Sequence, residues 1–142
     1  MDLRQLSERF YVSPQISAED LPEIAAAGVT CVLCNRPDAE VPPSHGAQAI
    51  QRAAEAHGLR FACVPLDQAS FVPAVMGENH AQGAGSEDVV LAYCASGTRS
   101  CIAWALGQAG DMPAEEIIAA AAAQGYDVRH IAQALERPFV ER

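Results

Sequence analysis

The 142-residue chain has no lysine, so its cationic side chains are nine arginines and whatever charge four histidines carry. Against eighteen aspartates and glutamates this leaves a formal net charge of −9. That balance argues against general nucleic-acid binding, which neutralises phosphates with basic groups. It leaves open a small anionic substrate, because such a ligand answers to the local field. Nothing approaches the roughly eighteen uninterrupted apolar residues of a membrane span. The opening "MDLRQLSERF" is charged where a secretory signal would be apolar. The expectation is a soluble cytoplasmic protein, with no membrane and no nucleic-acid partner. The histidines show no His-x-His or His-Glu-x-x-His spacing, and no phosphate-binding Walker loop or dinucleotide fingerprint occurs. No metal and no cofactor is therefore expected. Five cysteines make an odd count without framework spacing, which favours reduced thiols over disulfides.

Half of the residues are hydrophobic, enough for one buried core, and residues 1–142 read as a single domain. "RFYVSPQIS" (9–17) reads as a short strand into a proline turn. Ser17 to Asp20 resembles a capping box before a helix over about 18–27. "VTCVLC" (29–34) and "VVLAYC" (89–94) are β-branched and apolar without alternation, as strands buried on both faces are. Between them lie a proline-rich loop, an alanine-rich helix over 46–57, the strand "LRFACVP", and a looser connection with one short helix. Helices follow over about 98–109, 113–124 and 127–136, with Pro113 in a first turn and Asp127 as an N-cap. Strands alternating with helices predict a three-layer α/β fold with a mostly parallel central sheet. Ligands of such sheets sit at the carboxyl ends of the strands. Cys94, the loop from Asn35 to Glu40, and Pro65 to Asp67 should therefore share one edge.

The chemistry centres on "CASGTRS" (94–100). A cysteine closes a buried strand, a short loop follows, and Arg99 and Ser100 open a helix. A helix N-terminus favours the thiolate, the reactive form of the side chain. The amides of Ala95, Ser96, Gly97, Thr98 and Ser100 are expected to curl around the sulfur as an anion nest, with Gly97 supplying a positive φ. Arg99 adds a fork suited to tetrahedral oxyanions. The Ser100 hydroxyl is a candidate donor to the thiolate. The bland alternative is a buried strand-end cysteine with a helix-capping arginine. The joint occurrence of cysteine, glycine and Arg-Ser favours a reactive site.

This loop resembles the rhodanese type, in which four residues separate cysteine and arginine. Protein tyrosine and dual-specificity phosphatases have five, usually with a histidine where this chain has Tyr93. "VSPQISAEDLPEIAAAGVTCVLCNRPDAE", "GLRFACVPL", "VVLAYCASGTRS" and "AAAAQGYD" together resemble the phosphatase-like domain of β-lactamase hydrolase-like proteins, across nearly the whole chain. The resemblance implies a fold similar to dual-specificity phosphatases. It also implies sulfur-transferase labels, and for some members fusion to persulfide-oxidising metallo-hydrolase domains. A shorter loop leaves room for a persulfide sulfur and less for a phosphoryl group. The expected activity is therefore sulfur transfer through a Cys94 persulfide, from thiosulfate or a small persulfide to a thiol, cyanide or sulfite. The alternatives are a phosphatase passing through phosphocysteine, and a non-catalytic oxyanion-binding module. A phosphatase needs an acid for its leaving group. Asp67, 27 residues before Cys94, resembles that acid by position, although a solvated loop aspartate is the plainer reading.

Remaining candidates read as structure. Cys31 and Cys34 have redox spacing, but in a strand they face opposite sides of the sheet. Cys63 reads as strand interior. Cys101 reads as core, with a minor prospect of resolving a persulfide on Cys94. Arg36 reads as paired with a carboxylate beside the pocket, near Asp38 and Glu40. His57 fits the C-terminal end of a helix, and Trp104 the core.

Overall fold

The computed structural model describes residues 1–141. Its sheet has five strands: β1 (Arg4–Ser7), β2 (Phe10–Ser13), β3 (Cys31–Cys34), β4 (Arg60–Cys63) and β5 (Val90–Tyr93). Their spatial order is β1-β2-β5-β3-β4. β1 runs antiparallel to β2, and the other pairs are parallel. The helices are α1 (Leu21–Ala26), α2 (Ala47–Ala56), α3 (Pro73–Gln82), α4 (Thr98–Gln108) and α5 (Ala114–Ala123).

β3 and β5 are buried at all four positions each, which accounts for their unbroken apolar sequence. Two hydrophobic clusters divide across them. Phe10, Val12, Cys31, Leu33, Val90 and Ala92 face α3, α4 and α5. Val32, Cys34, Leu91 and Tyr93 face α1 and α2 through Leu21, Ile24, Ile50 and Ala54. Cys31 and Cys34 thus lie on opposite faces, as their odd spacing requires. α4 is the central helix: Cys101, Ala103, Trp104, Ala105 and Leu106 are all buried. Burial, with a smaller contribution from Cys94, pushes the Cys101 thiol up to about 12, which suits a core residue.

Four details differ from expectation. β1 was not anticipated; it is a four-residue edge strand with one buried side chain, too short for a periodic signal. The connection after β4 is more helical than its glycines suggest, with α3 running ten residues from a first-turn proline. The last helix is a 3₁₀ segment over Arg129–Glu136 with a kink at Ile131. Cys63 ends the edge strand β4 and is exposed. No helix among the described residues is long and apolar enough to cross a membrane. The capping box is formed, with the Ser17 amide donating to Asp20 Oδ2 at 2.9 Å.

The topology positions the site. From β3 the chain moves outward to β4, then returns across β3 to place β5 between β2 and β3. Loops leaving β3 and β5 therefore diverge, and the crevice between them is the usual ligand position in an open α/β sheet. Register makes this concrete. Ser13, Tyr93, Cys34 and Cys63 pair across the sheet in one row. Cys94 and Asn35 are the next residues beyond that row.

Candidate functional site

Cys94 follows β5 and is fully buried, with the loop 95–97 folded over it into α4. Gly97 N donates to Cys94 Sγ at 3.2 Å. The orientation of that amide has an identifiable cause. C=O and N–H of a trans peptide point in opposite directions. The Ala95 carbonyl accepts from Gln15 N at 3.2 Å, and the Ser96 carbonyl accepts from Tyr126 Oη at 3.0 Å. Fixing the Ser96 carbonyl outward turns the Gly97 amide, in the same peptide, toward the sulfur. Gly97 has φ +94°, where a side chain is strained, and a Cβ there would collide with Tyr126 Oη. The glycine thus serves both the curl and the approach of the tyrosine. Thr98 N is directed to Ser96 Oγ at 3.4 Å, so not every loop amide faces inward.

Arg99 is held at its tip. Nη1 and Nη2 donate to Glu40 Oε2 and Oε1, each at 2.8 Å, and Nη1 also donates to the Leu66 carbonyl at 2.9 Å. Arg36 supports the same carboxylate, with Nε 3.2 Å from Glu40 Oε1. It also reaches Gln15 Oε1 at 3.2 Å. The hydrogen bonds from Arg99, with help from Arg36 and against partial burial, hold the Glu40 carboxyl below its ordinary value. The Arg99 pKa is raised in turn, chiefly by its hydrogen bonds to Glu40. Glu40 and the Leu66 carbonyl thereby fix the guanidinium tip at the cavity that Arg99 lines. Arg36 does pair with a carboxylate, as its position suggested. Asp38 instead accepts from Ala47 N at 2.8 Å, satisfying the first turn of α2.

Ser100 does not donate to the thiolate. Its Oγ donates to Asn35 Oδ1 at 2.9 Å, and Asn35 Nδ2 donates to the Val64 carbonyl at 2.9 Å and Asn79 Oδ1 at 2.8 Å. Ser100, Asn35 and Asn79 are buried, so each must find a protein partner. This network fastens the first turn of α4 to the ends of β3 and β4 and to α3. Asn79 and Tyr126 were not anticipated as site residues; both act from other elements, at sequence distances that no local pattern encodes.

Asp67 stands at the rim. Its Oδ1 accepts from Ala69 N at 2.9 Å and Ser70 Oγ at 3.0 Å, an Asx-type turn. Together with Glu40, Gln68, Phe71 and Arg99 it lines an open cavity of about 300 Å³. Arg99 lines this cavity from the first turn of α4, directly after the loop folded over Cys94. The arrangement can bind a small tetrahedral anion and present it to a nucleophile beneath.

Known proteins share this fold. A crystal structure of a candidate phosphatase from Neisseria meningitidis Z2491 superposes with a TM-score of 0.82 at 30% identity, covering 96% of this chain and 97% of that one. The core catalytic domain of a PP-IP phosphatase from S. cerevisiae, solved with citrate, gives 0.72 at 12% identity, covering 97% and 85%; that likeness speaks to fold alone. A beta-lactamase hydrolase-like protein of Xylella fastidiosa (strain 9a5c) is 31% identical over 143 residues, covering 99% of this chain. The chain spans 33% of the length of that relative. A family model for the phosphatase-like domain of beta-lactamase hydrolase-like proteins matches residues 2–111, which include β1 through α4 and the Cys94 loop. The chain belongs to the family of phosphatase-like domains of beta-lactamase hydrolase-like proteins.

Proposed function

We propose that this domain is a cysteine-dependent phosphatase acting on small phosphomonoesters. The observation that carries the reading is the shared position of Asp67 and Arg99 on one cavity, with Arg99 in the first turn of the helix that the Cys94 loop opens. Arg99 binds the phosphoryl oxygens. The Cys94 thiolate attacks phosphorus, forming an S–P bond as the P–O bond breaks, and the Gly97 amide faces the transferring group. Asp67 gives its proton to the departing oxygen, and water then cleaves the phosphocysteine. Membership of a phosphatase-like family favours this over sulfur transfer. The test is turnover of aryl and alkyl phosphates. Cys94→Ser should abolish both. Asp67→Asn should slow alkyl phosphates by about a hundredfold, and p-nitrophenyl phosphate much less, because its leaving group needs no proton. Equal losses on both substrates would remove Asp67 from the reaction, and no turnover by the unaltered chain would sink the reading.

Sulfur transfer through a Cys94 persulfide stands as a second reading, favoured by the four residues between Cys94 and Arg99. Thiosulfate treatment followed by mass spectrometry decides it. One added sulfur on Cys94, absent in Cys94→Ser, supports transfer, and an unmodified Cys94 rejects it.

A further inference from the structure

The row of strand ends holds a second pair of thiols. Cys34 closes β3 and Cys63 closes β4, and the two are direct partners on adjacent parallel strands. Side chains at paired positions project from the same face of the sheet, on strands about 4.8 Å apart. Both cysteines are free. Cys34 is 1% exposed, whereas Cys63 lies open on the edge strand. Cys63 is thus open to solvent, and its register partner Cys34 is shielded from it.

The two thiols interact across the strand pair. That interaction lowers the Cys34 pKa, with Tyr93 and the Arg36 backbone assisting against burial, and it raises the Cys63 pKa. Neighbouring thiols of this kind titrate as a pair. The inner thiols behave otherwise: burial pushes Cys31 up to about 11 and Cys101 up to about 12. Tyr93 is the register partner of Cys34 on the opposite side of β3 from Cys63. Its hydroxyl is completely buried and without a hydrogen-bond partner, where buried hydroxyls are normally satisfied.

We propose that Cys34 and Cys63 form a redox-active dithiol, separate from Cys94, that closes into a disulfide by exchange with a low-molecular-weight disulfide. The exposed Cys63 thiol passes its proton to the neighbouring Cys34 thiolate as its sulfur attacks one sulfur of the donor. The donor S–S bond breaks, the leaving thiolate takes up that proton from Cys34, and a mixed disulfide forms on Cys63. The Cys34 thiolate then attacks Cys63 Sγ, displacing the second donor thiolate. Both protons of the dithiol end on the two released thiols. The protein pair is oxidised by two electrons and the donor is reduced by two. Neighbouring strands hold their Cα atoms within the roughly 4.4–6.8 Å that a disulfide spans, so no backbone rearrangement is needed. Closure also removes the Cys34 thiol that donates to the Arg36 carbonyl at 3.4 Å, next to the arginine that supports Glu40.

The test exposes the folded chain to a small excess of glutathione disulfide. Remaining thiols are then alkylated under denaturing conditions, and fragmentation mass spectrometry identifies the linkage. Three of the five cysteines (Cys31, Cys94 and Cys101) should alkylate, with Cys34 joined to Cys63 and the bond reversed by dithiothreitol. Cys94→Ser should form the same linkage to the same extent, whichever reaction Cys94 supports. Cys63→Ser, a change at an exposed site, should lose it. A linkage running to Cys94 would overturn the proposal. So would a persistent glutathione adduct on Cys63 with Cys34 still alkylated, or five alkylated cysteines.

Discussion

At Gly97 one missing Cβ satisfies two demands. The residue sits at φ +94°, and the space a side chain would fill is taken by the Tyr126 hydroxyl that anchors the Ser96 carbonyl. Gly97→Ala should therefore lose about 2 kcal/mol or more, from backbone strain plus displacement of the tyrosine. Tyr126→Phe alone should lose about 1 kcal/mol. In the double variant the two losses should sum to less than their separate total, because both act on one contact. Chemical denaturation of the four proteins measures this, and strict additivity would contradict the shared contact. Glu40 supplies the second residue-scale prediction. Its carboxyl is held below the ordinary value of 4.5, mainly by Arg99. A depressed folded pKa gives stability that is fully present above the unfolded value and lost as pH falls through the folded one. The Tm difference between the unaltered chain and Glu40→Gln should stay constant above about pH 5 and close at more acid pH. Because the Glu40 side chain is 36% exposed, solvent screening keeps the effect small. A difference that instead widened on acidification would contradict the pairing.

Asn35 shows how one side chain can tie four elements. It joins the first turn of α4, the ends of β3 and β4, and α3 through hydrogen bonds of 2.8–2.9 Å, all within the core. Asn35→Ala would strand Ser100 Oγ, the Val64 carbonyl and Asn79 Oδ1, and each orphaned buried group costs about 1–3 kcal/mol. A loss of about 3 kcal/mol is expected, read as a lower urea midpoint at unchanged slope. Ser100→Ala should lose less, since Asn35 keeps its other two bonds. Legibility from sequence follows the same division. β3, β5, α2 and α4 were readable because burial on both faces, alanine content and loop glycines leave local marks. Cys94 and Arg99 were readable because strand, loop and helix are contiguous there. The Ser100–Asn35 bond and the Tyr126 anchor were not, since their partners lie 65 and 30 residues apart, the first pair meeting through the parallel crossovers and the second through the packing of α5 against α4. Ser100 was accordingly expected to face the sulfur, when its hydroxyl is spent on the scaffold. The Cys34–Cys63 pair escaped for a related reason: reading within one strand compares Cys34 with Cys31, whereas register pairs it with a residue on the neighbouring strand.

Across the whole molecule, the proposed anion site sits in a chain whose net charge is −9. Near the cavity, Arg99 and Arg36 face Glu40 and Asp67, so even the local balance offers no surplus positive charge. Recognition of a phosphoryl dianion must then come from short directed hydrogen bonds, those of Arg99 and the loop amides. The long-range field opposes approach. Charges separated by more than about 8–10 Å are largely screened at physiological ionic strength, whereas the contact hydrogen bonds are screened much less. Added salt should accordingly remove the repulsion while sparing the attraction. For the phosphatase reading, KM for an aryl phosphate dianion should fall by about twofold as sodium chloride rises from ~10 to ~150 mM. kcat should change little, because chemistry beneath the loop is shielded. A KM that rose steeply with salt would mean that Arg99 and Arg36 project a net positive field, and that the end-on grip of Glu40 does not persist as substrate approaches.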